Sequence, residues 1–257
     1  MLATVTLASD ATTQDCARAV RAAWPLHRVV HLAGVRPGED LRDYYGRFFD
    51  LVGRPVPLGE DASLGDRDHQ RSGEIWMEVR YDPDIPDAYR HSANAQPLHT
   101  DGSYIPDFPN AGFLACKSMS GEGGATIFID GPDVVAALKA HAPDLLRRLR
   151  ATPVPHARSG DRRVEPVIRE NDGEILFNWN YYCVDPHVDE ETLALREEFF
   201  QFLRTDKLIV ENLHRVRMKP GEAVLWKDDR TLHGRDSFNA KERSERHLWK
   251  AQVQVDA

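Results

Sequence analysis

Cysteine is scarce in this 257-residue chain, and Cys16, Cys116 and Cys183 are odd in number and far apart. A disulfide framework or a zinc knuckle is therefore excluded, and reduced, mostly buried thiols in a cytoplasmic protein are expected. Long apolar runs are missing too, since none approaches the roughly 18 residues that a membrane span requires. Residues 1–14 lack a charged n-region followed by a long apolar core, so no secretory leader is expected. Positive charge is in deficit. With 33 Lys and Arg against 41 Asp and Glu, the formal net charge of −8 leaves no basic footprint for a nucleic-acid partner. Internal repeats and low-complexity linkers are also absent.

What remains is the composition of a soluble globular protein, 41% hydrophobic and 29% charged, long enough for one large domain. Periodicity and capping signals predict helices over residues 10–23, 39–52, 134–150 (interrupted near Pro143) and 189–204. Strands are predicted over 27–35, 74–81, 113–119, 125–130, 213–218, 223–226 and 246–255. A further pair, 164–169 and 174–179, reads as a hairpin around Asn171-Asp172-Gly173. Residues 53–72 and 82–97 read as loop. Short strands with helices before and between them suggest a β core flanked by helices.

The chemistry concentrates at Leu98-His99-Thr100-Asp101-Gly102. In an extended run, residues two apart project from one face, so His99 and Asp101 can hold one cation from two sides. A second His-x-Asp pair, His187-Val188-Asp189, falls where a helix begins, and there Asp189 serves as an N-cap. A third ligand would complete the 2-His-1-carboxylate set that suits non-heme Fe(II) oxygenases. His233, just after the predicted strand 223–226, is the best placed of the remaining histidines. The last strand puts Arg246, Leu248, Lys250 and Gln252 on one face. An inward arginine is costly unless it meets an anion, and a ligand carboxylate is its natural bidentate partner.

Four separated pieces carry a resemblance: Pro97 to Asp101, Gly123 to Phe128, Leu225 to Phe238, and Arg246 to Trp249. In order and spacing, residues 74–255 resemble the TauD/TfdA (taurine dioxygenase-like) family of Fe(II)/2-oxoglutarate-dependent oxygenases. The middle hairpin, Glu165 to Ile168 through Phe177-Asn178, fits as well. The resemblance implies a mainly β fold, a double-stranded β-helix (jelly roll) with flanking α-helices. Residues 1–257 would form one domain, with 1–73 packed as helices and a strand on a 74–255 core carrying a helical insert. It implies His99, Asp101 and His233 as iron ligands, Arg246 as partner of the distal carboxylate of 2-oxoglutarate, and Thr126 as a hydroxyl donor to that carboxylate.

The implied cofactors are Fe(II), 2-oxoglutarate and O2. The implied reaction hydroxylates an unactivated C–H bond of a small polar or anionic metabolite while 2-oxoglutarate becomes succinate and CO2. Desaturation, epoxidation or cyclisation with the same cofactors is the alternative outcome. From another class, the alternative is a barrel that binds metal and 2-oxoglutarate without turnover. Halogenases of the superfamily replace the ligand carboxylate with a small residue, so the intact Asp101 argues against halogenation.

Lys250 stands where relatives carry a second arginine for the substrate's anionic group. Lysine is a point charge and not a bidentate fork, which keeps an anionic substrate open and speaks against a sulfonate. The relatives' asparagine before the iron histidine has no clean counterpart, with Ala95 at its place and Asn94 one position away. Asn94, Gln96, Ser103, Tyr104, Trp179, Asn180, Tyr181 and Lys250 are the candidates for a substrate pocket. The arginine-rich stretch 158–169 reads as a solvated loop, with a lid as the alternative. The expected partner is a small molecule, with neither nucleic acid nor membrane; a homo-oligomer is left open.

Overall fold

The computed structural model describes residues 1–57, 74–85, 89–158 and 160–256. Most of the predicted 53–72 loop, from residue 58 onward, lies outside the described residues.

The chain begins as a strand, β1 (Leu2–Thr6), then runs through α1 (Thr13–Ala23), β2 (Val29–Ala33) and α2 (Leu41–Val52). Thr12 starts α1 through a capping box, its hydroxyl accepting from Asp15 N while the Asp15 carboxylate accepts from Thr12 N. Asp40 caps α2, and Gly53 ends it. The chain continues as β3 (Gly53–Pro55), β4 (Met77–Arg80), β5 (Gln96–His99), β6 (Ala111–Ser118), β7 (Glu122–Gly123) and β8 (Thr126–Asp130). Next come α3 (Gly131–His141), α4 (Pro143–Ala151), β9 (Pro153–Arg158), β10 (Asp161–Pro166), β11 (Ile168–Asn171) and β12 (Glu174–Phe177). The last third is α5 (Glu190–Thr205), α6 (Lys207–Glu211), β13 (His214–Val216), β14 (Ala223–Lys227), β15 (Thr231–Arg235), β16 (Phe238–Asn239) and β17 (His247–Val255).

Two sheets carry the architecture. The larger has the order β1-β2-β14-β6-β17-β3, with β4 also pairing β17, and the smaller has the order β13-β8-β15-β5. Strand alternation sorts their side chains into layers. On the outer face of the large sheet, Tyr45, Phe48 and Phe49 of α2 surround Phe113 with ring centroids 4.9–6.1 Å away. Val20, Leu225, Ala251 and Val253 extend that cluster. Between the sheets, Leu114, Val224, Trp226 and Leu248 of the large sheet meet Phe128 and Val216 of the small one. On the far side, Leu98, Ile127, Ile129 and Leu232 face a helical cover that includes Leu138, Leu149, Phe199 and Ile209. The result is a mainly β structure with helices on both outer faces. Gly112 is the cross-strand partner of Trp226 and leaves room for its indole, since a Cβ there would lie 2.2 Å from the ring.

Several expectations are corrected. The predicted loop begins as a short strand, β3, on the edge of the large sheet beside β17. Residues 164–166 do not pair with the 174–179 segment; they join β9, and the Asp-Gly hairpin is confined to β11 and β12. Pro153 and Pro155 argue locally against a strand, and β9 exists only as half of an isolated ribbon, where a missing N–H is tolerated. The arginine-rich stretch is therefore mostly a two-stranded ribbon and not a solvated loop. The expected interruption near Pro143 is present, and it divides the 134–150 stretch into α3 and α4 at Ala142-Pro143. Asp189 does cap α5, accepting from Thr192 N at 2.7 Å. All three cysteines are buried, and none forms a disulfide among the described residues. Among the described residues, no helix is long and apolar enough to cross a membrane.

Candidate metal centre

His99 ends β5 and is the cross-strand partner of His233 in β15. Opposed residues of an antiparallel pair share a face, so strand register alone brings together two histidines remote in sequence. Their ring centroids are 4.2 Å apart. Alternation in β15 sends Leu232 outward to the helices and His233 inward, where it meets the Trp226 ring at 4.8 Å. His233 thus follows β14, as expected, and sits inside a strand of its own, β15.

Beyond His99 the chain leaves the sheet. Thr100 N donates to Trp179 O at 2.7 Å, and Trp179 N returns a bond to the Thr100 hydroxyl at 3.0 Å. Gly102 then takes φ +51°, with Phe108 so close that a Cβ would lie 2.1 Å from its ring. This exit aims the Asp101 carboxylate back at the histidines. Oδ1 is 3.6 Å from His99 Nε2, and Oδ2 is 3.7 Å from His233 Nε2. One ligand atom from each of the three residues lies within 4.8 Å of the others.

Protonation states favour a cation. Burial opposes charge on Asp101, but the Lys250 ammonium and the hydrogen-bonding contact with His99 outweigh it and hold the carboxyl well below its usual range. Burial, reinforced by His99, pushes His233 well below the ordinary imidazole value and keeps it neutral, the form that ligates metal. His99 Nδ1 faces Pro97 O at 2.8 Å, which turns Nε2 toward the cluster.

Asp228 supports the centre from beneath and escaped the sequence reading. It accepts from Asp101 N and from Trp226 Nε1, both at 2.9 Å, and its Oδ1 is 3.3 Å from His233 Nδ1 without the alignment of a hydrogen bond. Burial and the Asp101 charge push the Asp228 carboxyl well above its usual range. Carboxylates behind ligating histidines orient the ring. Asp228→Asn is therefore expected to weaken Co(II) binding by about 10- to 100-fold, read by titrating the cobalt absorption bands. Unchanged affinity would show that Asp228 serves only the fold. The signal available in sequence was the buried-strand pattern of Trp226 running into an acidic pair.

Beside the cluster lies a second polar feature. Arg246 is 2% exposed, and its Nε donates to Gly124 O at 3.1 Å. Its Nη1 is buried without a hydrogen-bond partner. Gly124 has φ +73°, and a Cβ there would lie 3.0 Å from Arg246 Nε, so glycine forms part of the cradle. Arg235, also missed in sequence, is buried nearby. Its Nη2 donates to the carbonyls of Tyr89, Ser92 and Asn94, while Nε and Nη1 have no partner. Both guanidinium carbons lie about 5 Å from the Phe238 ring, at 5.2 Å for Arg235 and 5.3 Å for Arg246. Burial lowers Arg246 to about 9, with the Arg235 charge adding to the effect. Neither arginine has a carboxylate partner among the described residues. A buried cation pair with orphaned N–H groups suits an anionic ligand. Thr126 is the cross-strand partner of Arg235, is 3% exposed, and shares a strand face with Phe128.

The remaining candidates scatter. The Gln96 amide nitrogen lies 3.3 Å from His99 Nε2, so Gln96 is at the cluster. Ser103 is buried with an unpartnered hydroxyl, and Tyr104 is buried beside it in sequence. Asn94 is exposed and offers its backbone carbonyl to Arg235. Trp179 is fully buried in the helical core, its ring 4.8 Å from Phe199. Asn180 caps the turn at Tyr182 N, and Tyr181 bonds Glu197 and stacks on Phe200 of α5. Lys250 reaches the centre directly: its Nζ is 2.6 Å from Asp101 Oδ1. Gln252, on the face shared with Lys250, donates to Asp101 Oδ2 at 2.8 Å.

Taken together, these features define a mainly β protein with a buried His/Asp/His group fitted to a metal and an adjacent pair of arginines fitted to an anion. The chain belongs to the taurine catabolism dioxygenase TauD, TfdA family, whose model matches residues 3–252. It is 29% identical over 178 residues to a gamma-butyrobetaine dioxygenase of Pseudomonas sp. strain AK-1, a match covering 64% of this chain and 45% of that one. It is 24% identical over 157 residues to a trimethyllysine dioxygenase of Meyerozyma guilliermondii, covering 56% and 39%. The matches thus span less than half the length of these curated relatives. Among solved structures, an asparagine oxygenase in complex with Fe(II), 3-hydroxyasparagine and succinate superimposes with a TM-score of 0.72 at 14% identity, covering 94% of this chain and 78% of that one. The non-heme iron oxygenase OrfP, in complex with Fe and alpha-ketoglutaric acid, gives 0.67 at 14% identity, covering 95% and 79%.

Proposed function

We propose that this chain is an Fe(II)/2-oxoglutarate-dependent dioxygenase that hydroxylates an unactivated C–H bond of a small polar or anionic metabolite. The observation that carries the reading is the His99–Asp101–His233 cluster set beside the buried, carboxylate-free Arg246. His99, Asp101 and His233 hold the iron. Arg246, with Thr126, holds the distal carboxylate of 2-oxoglutarate. Bound Fe(II) supplies the oxidising chemistry with O2, coupled to conversion of 2-oxoglutarate to succinate and CO2. The protein's own part is positional. Pro97 O orients the His99 imidazole, Asp228 holds the Asp101 backbone and lies against His233, Arg246 fixes the co-substrate at its far end, and the two-sheet core keeps bulk water from the centre.

The sheets fit a double-stranded β-helix with the site between them, and residues 1–257 act as one catalytic unit in this reading. Trimethyllysine, gamma-butyrobetaine and asparagine, after which the relatives are named, are all small polar metabolites, and this supports the same substrate class. Three buried thiols outside any disulfide accord with a reducing, cytoplasmic setting.

Anaerobic addition of Fe(II) and 2-oxoglutarate is expected to give a weak visible charge-transfer band, absent from Asp101→Ala. Absence of the band from the unaltered protein would sink the metal reading. Substrate-dependent succinate release with O2 uptake, screened across a metabolite pool, separates catalysis from a barrel that only binds.

A further inference from the structure

We propose that Lys250 is a built-in competitor of the metal for Asp101, displaced when the cation binds, while Gln252 keeps the carboxylate aimed throughout. This rests on the metal reading of the His99–Asp101–His233 cluster and goes beyond it by assigning opposite roles to two neighbouring residues.

The interior face of β17 carries the argument. Leu248 packs between the sheets, and the next two residues on that face are polar. The Lys250 ammonium approaches Oδ1 at 2.6 Å, and the Gln252 amide approaches Oδ2 at 2.8 Å, so each carboxylate oxygen receives one donor. Gln252 is fully buried, and the side chains of Lys250 and Asp101 are 15% and 11% exposed. Poor solvation strengthens both the ion pair and any repulsion between the ammonium and a dication sharing that carboxylate.

The two donors differ in how they meet a metal. A neutral amide on one oxygen costs the metal little and fixes the carboxylate's rotation. A full positive charge on the other oxygen must be withdrawn, or must repel the incoming cation. Gln252 Oε1, buried and without a partner among the described residues, offers the withdrawn ammonium an acceptor on the same strand face. Lys250 and Gln252 are thus positioning residues that act through Asp101. The lysine sets a threshold for metal occupancy, and the glutamine sets geometry.

The test uses the full chain and Mn(II) alone, with free Mn(II) followed by electron paramagnetic resonance. His99→Ala must weaken binding of the unaltered protein; if it does not, the metal reading fails. Given that dependence, Lys250→Met is expected to bind Mn(II) about 10-fold more tightly, and Gln252→Leu about 10-fold more weakly, the size of effect usual for groups behind a metal ligand. Lys250→Arg, which keeps the ion pair, is expected to stay close to the unaltered protein. Unchanged or weaker binding by Lys250→Met overturns the competition, because a lysine that merely supports the fold cannot raise affinity when removed. If that variant does not fold, acetylation of the unaltered protein with acetic anhydride reads the same event by mass spectrometry. Mn(II) is expected to raise labelling of Lys250, and equal or lower labelling overturns the proposal.

Discussion

Replacing Arg246 with methionine is expected to weaken 2-oxoglutarate binding by roughly 30-fold or more while raising the melting temperature of the protein kept without 2-oxoglutarate. The two effects have one cause. Arg246 is 2% exposed, has a buried Nη1 with no partner, and is pushed down to about 9 by burial and the neighbouring Arg235. A buried charge without a counter-ion weakens a fold, and an apolar side chain of similar length relieves that cost. The same charge becomes an asset once a carboxylate arrives, because a guanidinium pairs with it through two parallel hydrogen bonds. Removing one partner of a buried, hydrogen-bonded charge pair costs about 2–5 kcal/mol, or roughly 30- to several-thousand-fold in Kd. Calorimetric titration of Mn(II)-loaded protein with 2-oxoglutarate measures the loss, and differential scanning calorimetry measures the gain. Arg246→Lys is expected to fall between, since a point charge cannot reproduce the fork. Methionine with undiminished affinity would move the 2-oxoglutarate site elsewhere.

The second large effect falls on Asp101. Asp101→Ala is expected to lose metal binding by more than the roughly 10- to 100-fold typical of an outer partner, and to lose stability as well. Four groups converge on this carboxylate: two histidines, Lys250 and Gln252. Alanine strands the Lys250 ammonium without a counter-charge. Breaking a buried pair from one side costs on the order of 3 kcal/mol, discounted here because Lys250 keeps some contact with water. Urea denaturation in the presence of a chelator isolates that term. Adding Lys250→Met to Asp101→Ala is expected to restore stability but not metal binding, because the stranded charge is gone while the ligand is still missing. If the double variant is no more stable than Asp101→Ala, the ion pair contributes nothing to the fold.

What was legible in the sequence was whatever a short local pattern encodes. The His99-x-Asp101 spacing marked the two donors, although β5 ends at His99 and it is the turn beyond Thr100, not strand alternation, that aims Asp101 at the histidines. The period-two pattern of the last strand placed Arg246, Leu248, Lys250 and Gln252 together, and all four do point inward. Asp189 signalled a helix start through a side chain that bonds within three residues. Family resemblance then linked His233, Thr126 and Arg246 to the same chemistry.

Tertiary structure alone decided who meets whom. That His99 and His233 are cross-strand partners depends on sheet register, which no local pattern specifies. The same holds for Asp228 beneath His233, whose role exists only because the turn from β14 to β15 folds under Asp101. Trp179 looked available as an aromatic near the site, yet packing against Phe199 consumes it. Lys250 read as a cation waiting for substrate, but the crossing of β17 past the end of β5 gives it Asp101 first. Residue chemistry was written along the chain, whereas the pairing of charges was set by strand order and by the cost of leaving any buried charge alone.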